Sequence, residues 1–186
     1  MMIPPYQPKA KYLEIGYEGG EFADQVLTRY TDVQVISLDK SIDQDSPSKE
    51  EYKRLVEKYG IERHRMIAGD TTVVLTHLGT ILKEPAIKFH TVFVHNDPER
   101  SFEEAKNILF LSMKYMEEDS IIAFHQPDGA THDLIGAAIE DAVLIDVHND
   151  GSTLYAYVEP ERIRMAHKAQ EQLTRDTSVQ PLDNQV

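Results

Sequence analysis

Three side chains able to move a proton stand at the ends of two short apolar runs. His95 and Asp97 follow Thr91–Val94 (TVFV), and His125 follows Ser120–Phe124 (SIIAF). An imidazole titrates near neutral pH and serves as a general base. Histidine and aspartate together also hold divalent cations, oxygen suiting magnesium and imidazole suiting zinc, iron or nickel. A single histidine at a strand end is more often a hydrogen-bonded structural residue, but two on adjacent strand ends make a stronger candidate. A second set has the types that grip a nucleotide-like ligand. The segment KYLEIGYEGG, Lys11 to Gly20, is an apolar run carrying Glu14 that ends in Gly16, Gly19 and Gly20. Backbone approaches a ligand closely where there is no side chain, and the first amides of a helix point unpaired N–H groups at it. Asp39 lies 23 residues after Gly16, where a carboxylate accepts hydrogen bonds from ribose hydroxyls or simply sits in a loop. Asp70, after Gly69, suits an adenine amino group and a helix cap equally.

These residues are positioned by an alternation of strands and helices. Strands are expected at Tyr12–Ile15, Val33–Leu38, Arg65–Ala68, Thr91–Val94 and Ser120–Phe124. Each is followed by helix-compatible sequence, beginning near Glu21, Ser48, Thr72, Ser101 and Thr131. Ser48 with Glu51 has the spacing of a capping box, with Pro47 at the helix start. The stretch SFEEAKNILFLSMKYMEE, from Ser101 to Glu118, has apolar residues at helical spacing. Asp150–Gly151 between two apolar runs signals a closing hairpin. Repeated βα units imply parallel strands with helices on both faces. The fold class is therefore α/β: a Rossmann-like, doubly wound, mostly parallel seven-stranded sheet with a C-terminal antiparallel hairpin. Residues 1–10 read as an N-terminal arm, 11–160 as the domain, and 161–186 as a helix and polar tail, mobile from about Thr174. In such sheets ligands bind beyond the carboxyl ends of the strands, which is where all the candidate residues fall.

The chain has 186 residues, 41% hydrophobic and 27% charged, as expected of one globular domain. Its formal net charge is −13, which disfavours nucleic acid as a partner, because binding that polyanion depends on clustered Lys and Arg. No apolar run is long enough to span a membrane. The first ten residues lack the pattern of a secretory signal. The absence of cysteine excludes disulfides, thiol nucleophiles and thiolate metal sites. These features fit a cytoplasmic protein. No Gly-x-Ser-x-Gly elbow and no Walker loop is present, so hydrolase and nucleotide triphosphatase readings have no support. The remaining histidines, including His64 and His90, show no metal-ligand spacing and read as solvated or helix-face residues.

Taken together, the order of these motifs resembles the class I S-adenosylmethionine-dependent methyltransferases, and within them the small-molecule O-methyltransferase and cephalosporin-hydroxylase-like group. Glu14–Ile15–Gly16 followed by Gly19–Gly20 is similar to that group's first motif, one residue shorter. Asp39 matches its acid after strand two, Gly69–Asp70 its Gly-Asp pair, and SIIAFHQ, Ser120 to Gln126, its fifth strand. The likeness covers roughly Lys11 to Pro160. It implies that S-adenosyl-L-methionine is the cofactor, its methionine part held by Glu14, Gly16, Gly19 and Gly20, its ribose by Asp39, its adenine beside Asp70. The methyl group would face His95, Asp97 and His125, with a small molecule as acceptor. The chain departs from the group at His95–Asn96–Asp97–Pro98, where Asp-Gly-Asp-His is usual, and at Gln126, where an aspartate is usual. Two metal-binding carboxylates are thereby missing, and no metal is expected. Acceptor contacts are expected from the N-terminal arm, from Gln126 to Thr131, or from a second subunit of a homo-oligomer. A different class of function is also open: a catalytically degenerate member with a binding, regulatory or assembly role. A nicotinamide-linked oxidoreductase is a weaker third reading, because the glycine spacing is wrong for it.

Overall fold

The computed structural model describes residues 6–40, 47–127 and 129–178, with side chains described to residue 173. Elements alternate as β1 (Lys11–Ile15), α1 (Glu21–Arg29), β2 (Gln34–Asp39), α2 (Pro47–Tyr59), β3 (His64–Ala68), α3 (Thr71–Ile81), β4 (Phe89–Val94), α4 (Phe102–Met113), β5 (Met116–His125), α5 (Gly129–Glu140), β6 (Leu144–Asn149), β7 (Thr153–Val158) and α6 (Pro160–Ser178). They build one seven-stranded sheet in the order β3-β2-β1-β4-β5-β7-β6. The first five strands are parallel, and β7 runs antiparallel to both β5 and β6. The chain winds outward from β1 to β3, then crosses back to place β4 against β1's other edge. The crevice where winding reverses opens beyond Ile15 and Val94, the place such sheets hold ligands.

Two-residue periodicity sorts the strand side chains. Leu13, Ile15, Ile36, Leu38, Val92, Val94, Ile122 and Phe124 point to one face, where they bury residues of α3, α4, α5 and α6. Tyr12, Val35, Phe93, Ile121 and Ala123 point to the other, against Phe22, Val26 and Leu27 of α1 and Leu55 of α2. Ile163 of α6 is fully buried in the first of these cores, so the C-terminal helix is part of the same packed body.

Three local expectations are corrected. The helix does not run through to Glu118: α4 ends at Met113, and Met116 pairs with Phe89 as the start of β5. Backbone pairing wins because Phe89 N–H donates to the Tyr115 carbonyl at 2.7 Å. In α2, Pro47 occupies the helix itself, so Ser48 lies inside the first turn and is no cap. Glu51 pairs instead with Arg54, at 2.9 and 2.5 Å. The described part of the arm, from residue 6, packs at the start of β2: Tyr6 Oη and Lys9 N–H both donate to Asp32, at 3.0 and 3.2 Å. That is the end of β2 remote from Asp39. The Asp150–Gly151 turn forms as expected, with Asp150 N–H donating to the Thr153 carbonyl at 3.1 Å. The tail expected from about Thr174 begins later, because α6 continues to Ser178; its remainder, residues 179–186, lies outside the described residues.

Candidate functional site

The glycine bend joins β1 to α1 through left-handed backbone at Gly16, Glu18, Gly19 and Gly20, with φ of 81°, 38°, 82° and 77°. Gly16 is bound into the sheet, its N–H donating to the Leu38 carbonyl at 2.9 Å. A Cβ there would meet the His95 Cβ at 3.2 Å, and one on Gly20 would meet the Tyr17 ring and Leu55 Cδ1, the latter at 2.9 Å. The bend thus wraps the fully buried Tyr17 side chain. Asp39 Oδ2 accepts from the Tyr17 amide at 3.3 Å, so the acid at the β2 terminus and the first glycine bend share one wall.

That wall faces a cleft of about 310 Å³ lined by Gly16, Tyr17, Glu18, Asp39, Lys40 and Ser48, together with Thr71, Asn96–Arg100 and Glu104. The volume is within the usual range for small-molecule sites, about 300–1,000 Å³. Acidic residues outnumber basic ones in its lining: Glu18, Asp39, Asp97, Glu99 and Glu104 against Lys40 and Arg100. Lys40 Nζ donates to Asp97 Oδ2 at 2.7 Å, tying the end of β2 to the end of β4. Burial acts to raise the Asp97 carboxyl, but Lys40 and the Glu99 amide outweigh it and hold it below the usual carboxylate range. Arg100, 8% exposed, donates to the His95 carbonyl at 3.0 Å and fixes the turn after β4.

Beneath the bend lies a buried polar chain. Glu14 is fully buried and takes Ser37 Oγ–H on one oxygen, at 2.5 Å, and His95 Nε2 on the other, at 3.0 Å. The second ring nitrogen of His95, Nδ1, lies 3.0 Å from Glu18 Oε2. Desolvation opposes a charge on His95, but the two carboxylates prevail and its pKa is raised. An imidazolium donating to both acids is the consistent proton arrangement. Ser37 Oγ then accepts from His64 Nε2 at 3.2 Å. This leaves His64 Nδ1 as a bare, buried nitrogen without a hydrogen-bond partner among the described residues. The assignment agrees with the direction of titration, since burial drives the His64 pKa down to about 4. Burial raises the Glu14 carboxyl, against the lowering by His95 and Ser37.

The sequence-derived residues therefore separate. Gly16, Asp39 and Asp97 line the cleft, and Glu14 and His95 support its floor from below. His125 lies to the side: its ring centroid is 6.0 Å from that of His95, its Nδ1 is 3.0 Å from Thr153 Oγ1, and it is outside the cleft lining. Burial, then the charge on His95, lower its pKa. Gly19 and Gly20 shape the bend from outside the lining. Asp70 accepts the Val73 amide at 2.9 Å as the cap of α3, and its neighbour Thr71 faces the cleft. Two histidines read as solvated are in fact buried: His64 is fully buried and His90 is 7% exposed. The motif reading also passed over Glu18, Ser37, Lys40 and Arg100. Strand parity was the available signal for Ser37, which pairs directly with Glu14 across β1 and β2.

No family model matches the chain, and no curated protein matches it in sequence. Solved structures do match its fold. A candidate caffeoyl-CoA O-methyltransferase from Staphylococcus aureus superposes with a TM-score of 0.62 at 12% identity, covering 81% of this chain and 76% of that one. The precorrin-6y C5,15-methyltransferase of Geobacter metallireducens gives 0.59 at 9% identity, covering 82% of each. The MycE methyltransferase of the mycinamycin biosynthetic pathway, in complex with Mg, SAH and mycinamycin VI, gives 0.56 at 14% identity, covering 81% of this chain and 41% of that one. The chain spans about half the length of several further solved structures it matches. At this level of identity the likeness establishes the fold alone: a Rossmann-like, mostly parallel seven-stranded sheet closed by an antiparallel hairpin, shared with these methyltransferase structures.

Proposed function

We propose that this chain binds S-adenosyl-L-methionine in the cleft beside Gly16 and transfers its methyl group to a small-molecule acceptor. One observation carries the reading: Asp39 and the first glycine bend, 23 residues apart in sequence, meet at 3.3 Å along the wall of one acidic cleft. The residues present fit the cofactor. Asp39 suits ribose hydroxyls, Gly16 lets the ligand approach bare backbone, and acidic walls suit a sulfonium cation. Bound there, the cofactor supplies an electrophilic methyl group for in-line displacement. The chain's own task is to align the acceptor and, where needed, to remove its proton. Of the two histidines His125 has the protonation state suited to that, since burial and the charge on His95 lower its pKa, but it stands beside the cleft rather than in its lining.

Isothermal titration with S-adenosylhomocysteine and S-adenosylmethionine tests the reading. Wild-type protein is expected to bind both. Asp39→Ala is expected to weaken binding by roughly 1–3 kcal/mol, about 5- to 150-fold, by stranding polar ribose groups. Absence of heat in a well-folded sample overturns the proposal, and unchanged affinity in Asp39→Ala removes that residue from the site.

A second reading has its own support. The side chains proposed for chemistry are engaged by the protein: His95 by Glu14 and Glu18, Asp97 by Lys40. A methyltransferase fold that binds the cofactor but has lost catalysis fits that engagement. Cofactor binding without methyl transfer to any of a broad panel of hydroxyl, amine and carboxyl acceptors would favour it.

A further inference from the structure

At the opposite end of β4 from the cleft, a second group of side chains converges. His90 of β4 and Glu117 and Asp119 of β5 each offer a ligand atom, and the three atoms lie within 4.8 Å of one another. We propose that these residues form a binding site for a borderline divalent cation such as Zn²⁺, distinct from the cleft and requiring nothing of the proposed methyl transfer.

The site is built by an irregularity in the sheet. Phe89 pairs with Met116 but Thr91 pairs with Ile121, so β5 carries extra residues opposite His90. Such bulges re-aim side chains. Here the bulge is pinned by Ser120 Oγ–H, which donates to the Phe89 carbonyl at 2.8 Å, and it brings Glu117 and Asp119 together beside His90. A second, independent observation points to a ligand. His90 is 7% exposed, yet its Nδ1 is buried without a hydrogen-bond partner among the described residues. The nearest acidic atom, Glu117 Oε2, stands off at 3.9 Å. A buried nitrogen left unsatisfied is costly, and structures rarely keep one without a reason. Its partner would have to accept a lone pair or supply a hydrogen.

The donor set selects the cation. One imidazole with two carboxylates is a mixed N/O site, suited to Zn²⁺ and its neighbours among transition metals, whereas Mg²⁺ and Ca²⁺ prefer all-oxygen sets. Ligand atoms around tetrahedral zinc sit about 3.4 Å apart, closer than the 4.8 Å spread here. Glu117 and Asp119 close that gap by side-chain rotation, since both reach solvent while His90 is fixed by its strand and by the edge of the Tyr12 ring, 6.3 Å away centroid to centroid. Water completes the coordination. Gln7 Nε2 lies 3.5 Å from Glu117 Oε2, which makes the N-terminal arm a neighbour of the site.

The test uses the full chain, stripped with EDTA and dialysed, with no cofactor added. Titration with ZnCl₂ is expected to show one site of micromolar affinity or better and a rise in melting temperature. Co²⁺ loading is expected to give visible ligand-field bands. His90→Gln and, independently, the surface variant Asp119→Asn are each expected to weaken Zn²⁺ binding at least tenfold, while Asp119→Asn keeps the metal-free melting temperature. Equal Zn²⁺ binding by wild type and Asp119→Asn, binding only at millimolar concentration, or a melting temperature indifferent to Zn²⁺ overturns the proposal. A plain His90–Glu117 ion pair is the remaining alternative and gives the last of these results.

Discussion

Adjacent glycines of the bend carry different demands. Gly19 and Gly20 have nearly equal φ, 82° and 77°, so an alanine at either suffers the same left-handed strain, roughly 1–2 kcal/mol. Their surroundings differ. A Cβ at Gly19 meets nothing within 4 Å, whereas one at Gly20 runs into the Tyr17 ring, with Cζ at 2.6 Å. Tyr17 is fully buried and stacks on His64 at 5.7 Å, so it has nowhere to swing. Overpacking of that kind adds about 1–3 kcal/mol. Urea denaturation is therefore expected to show Gly20→Ala losing about 2–5 kcal/mol and Gly19→Ala only about 1–2. Equal losses would mean that backbone strain, not the packed tyrosine, sets the shape of the bend.

The polar chain from His64 to Glu18 belongs to no single residue, since it is strung across β3, β2, β1 and β4. Its two histidines have opposite pH signatures. His95 has a raised pKa, so its stabilisation is complete below its ordinary value of 6.5 and is lost as pH rises through the folded-state value. Glu14, also raised, pulls the same way, because ionising it in the folded state becomes harder than in the unfolded chain. His64 titrates near 4 when folded. Between pH 6.5 and 4 the unfolded chain takes up a proton that the folded chain refuses, and stability falls on acidification by on the order of 3 kcal/mol. Melting temperature against pH should peak near the ordinary histidine value. His95→Gln should flatten the alkaline limb and His64→Gln the acid limb; curves parallel to wild type would remove these residues as the titrating groups. The elements themselves were legible beforehand. Alternating apolar runs and turn glycines marked each strand and helix of the fold, because burial in a parallel sheet demands such runs. The buried chain was not, because strand parity marks Ser37 only as inward-facing, and its partner is known only once the register pairs it with Glu14. Asp39 was legible for the converse reason: its place is fixed by strand length alone. The β5 bulge was missed because Tyr115–Glu118 keeps helical spacing, and only pairing with Phe89 extends the strand through it.

For the molecule as a whole, the cleft and the closing hairpin have separate duties. Every residue lining the cleft falls between Gly16 and Glu104, on the β1–β4 half of the sheet. The hairpin instead seals β5, pairing Ile121–His125 with Thr153–Tyr157 and contributing Ala156 and Val158 to the core. Stability and ligand affinity should therefore respond separately to changes in it. Gly151 has φ of 92° with open space around it, so Gly151→Ala pays only the left-handed penalty, about 1–2 kcal/mol. It is expected to lower the melting temperature by several degrees while leaving the S-adenosylhomocysteine affinity within twofold at 15 °C. Removing residues 142–186 is a different matter. It strips β7 from β5 and leaves an apolar, unpaired edge with Ile121–Phe124 uncovered, a template for intermolecular pairing. That shortened chain is expected to aggregate, although every cleft residue is retained. A monomeric shortened chain with a cooperative melt would show that the five parallel strands and their helices form a self-sufficient unit, and that the hairpin is an accessory to the fold.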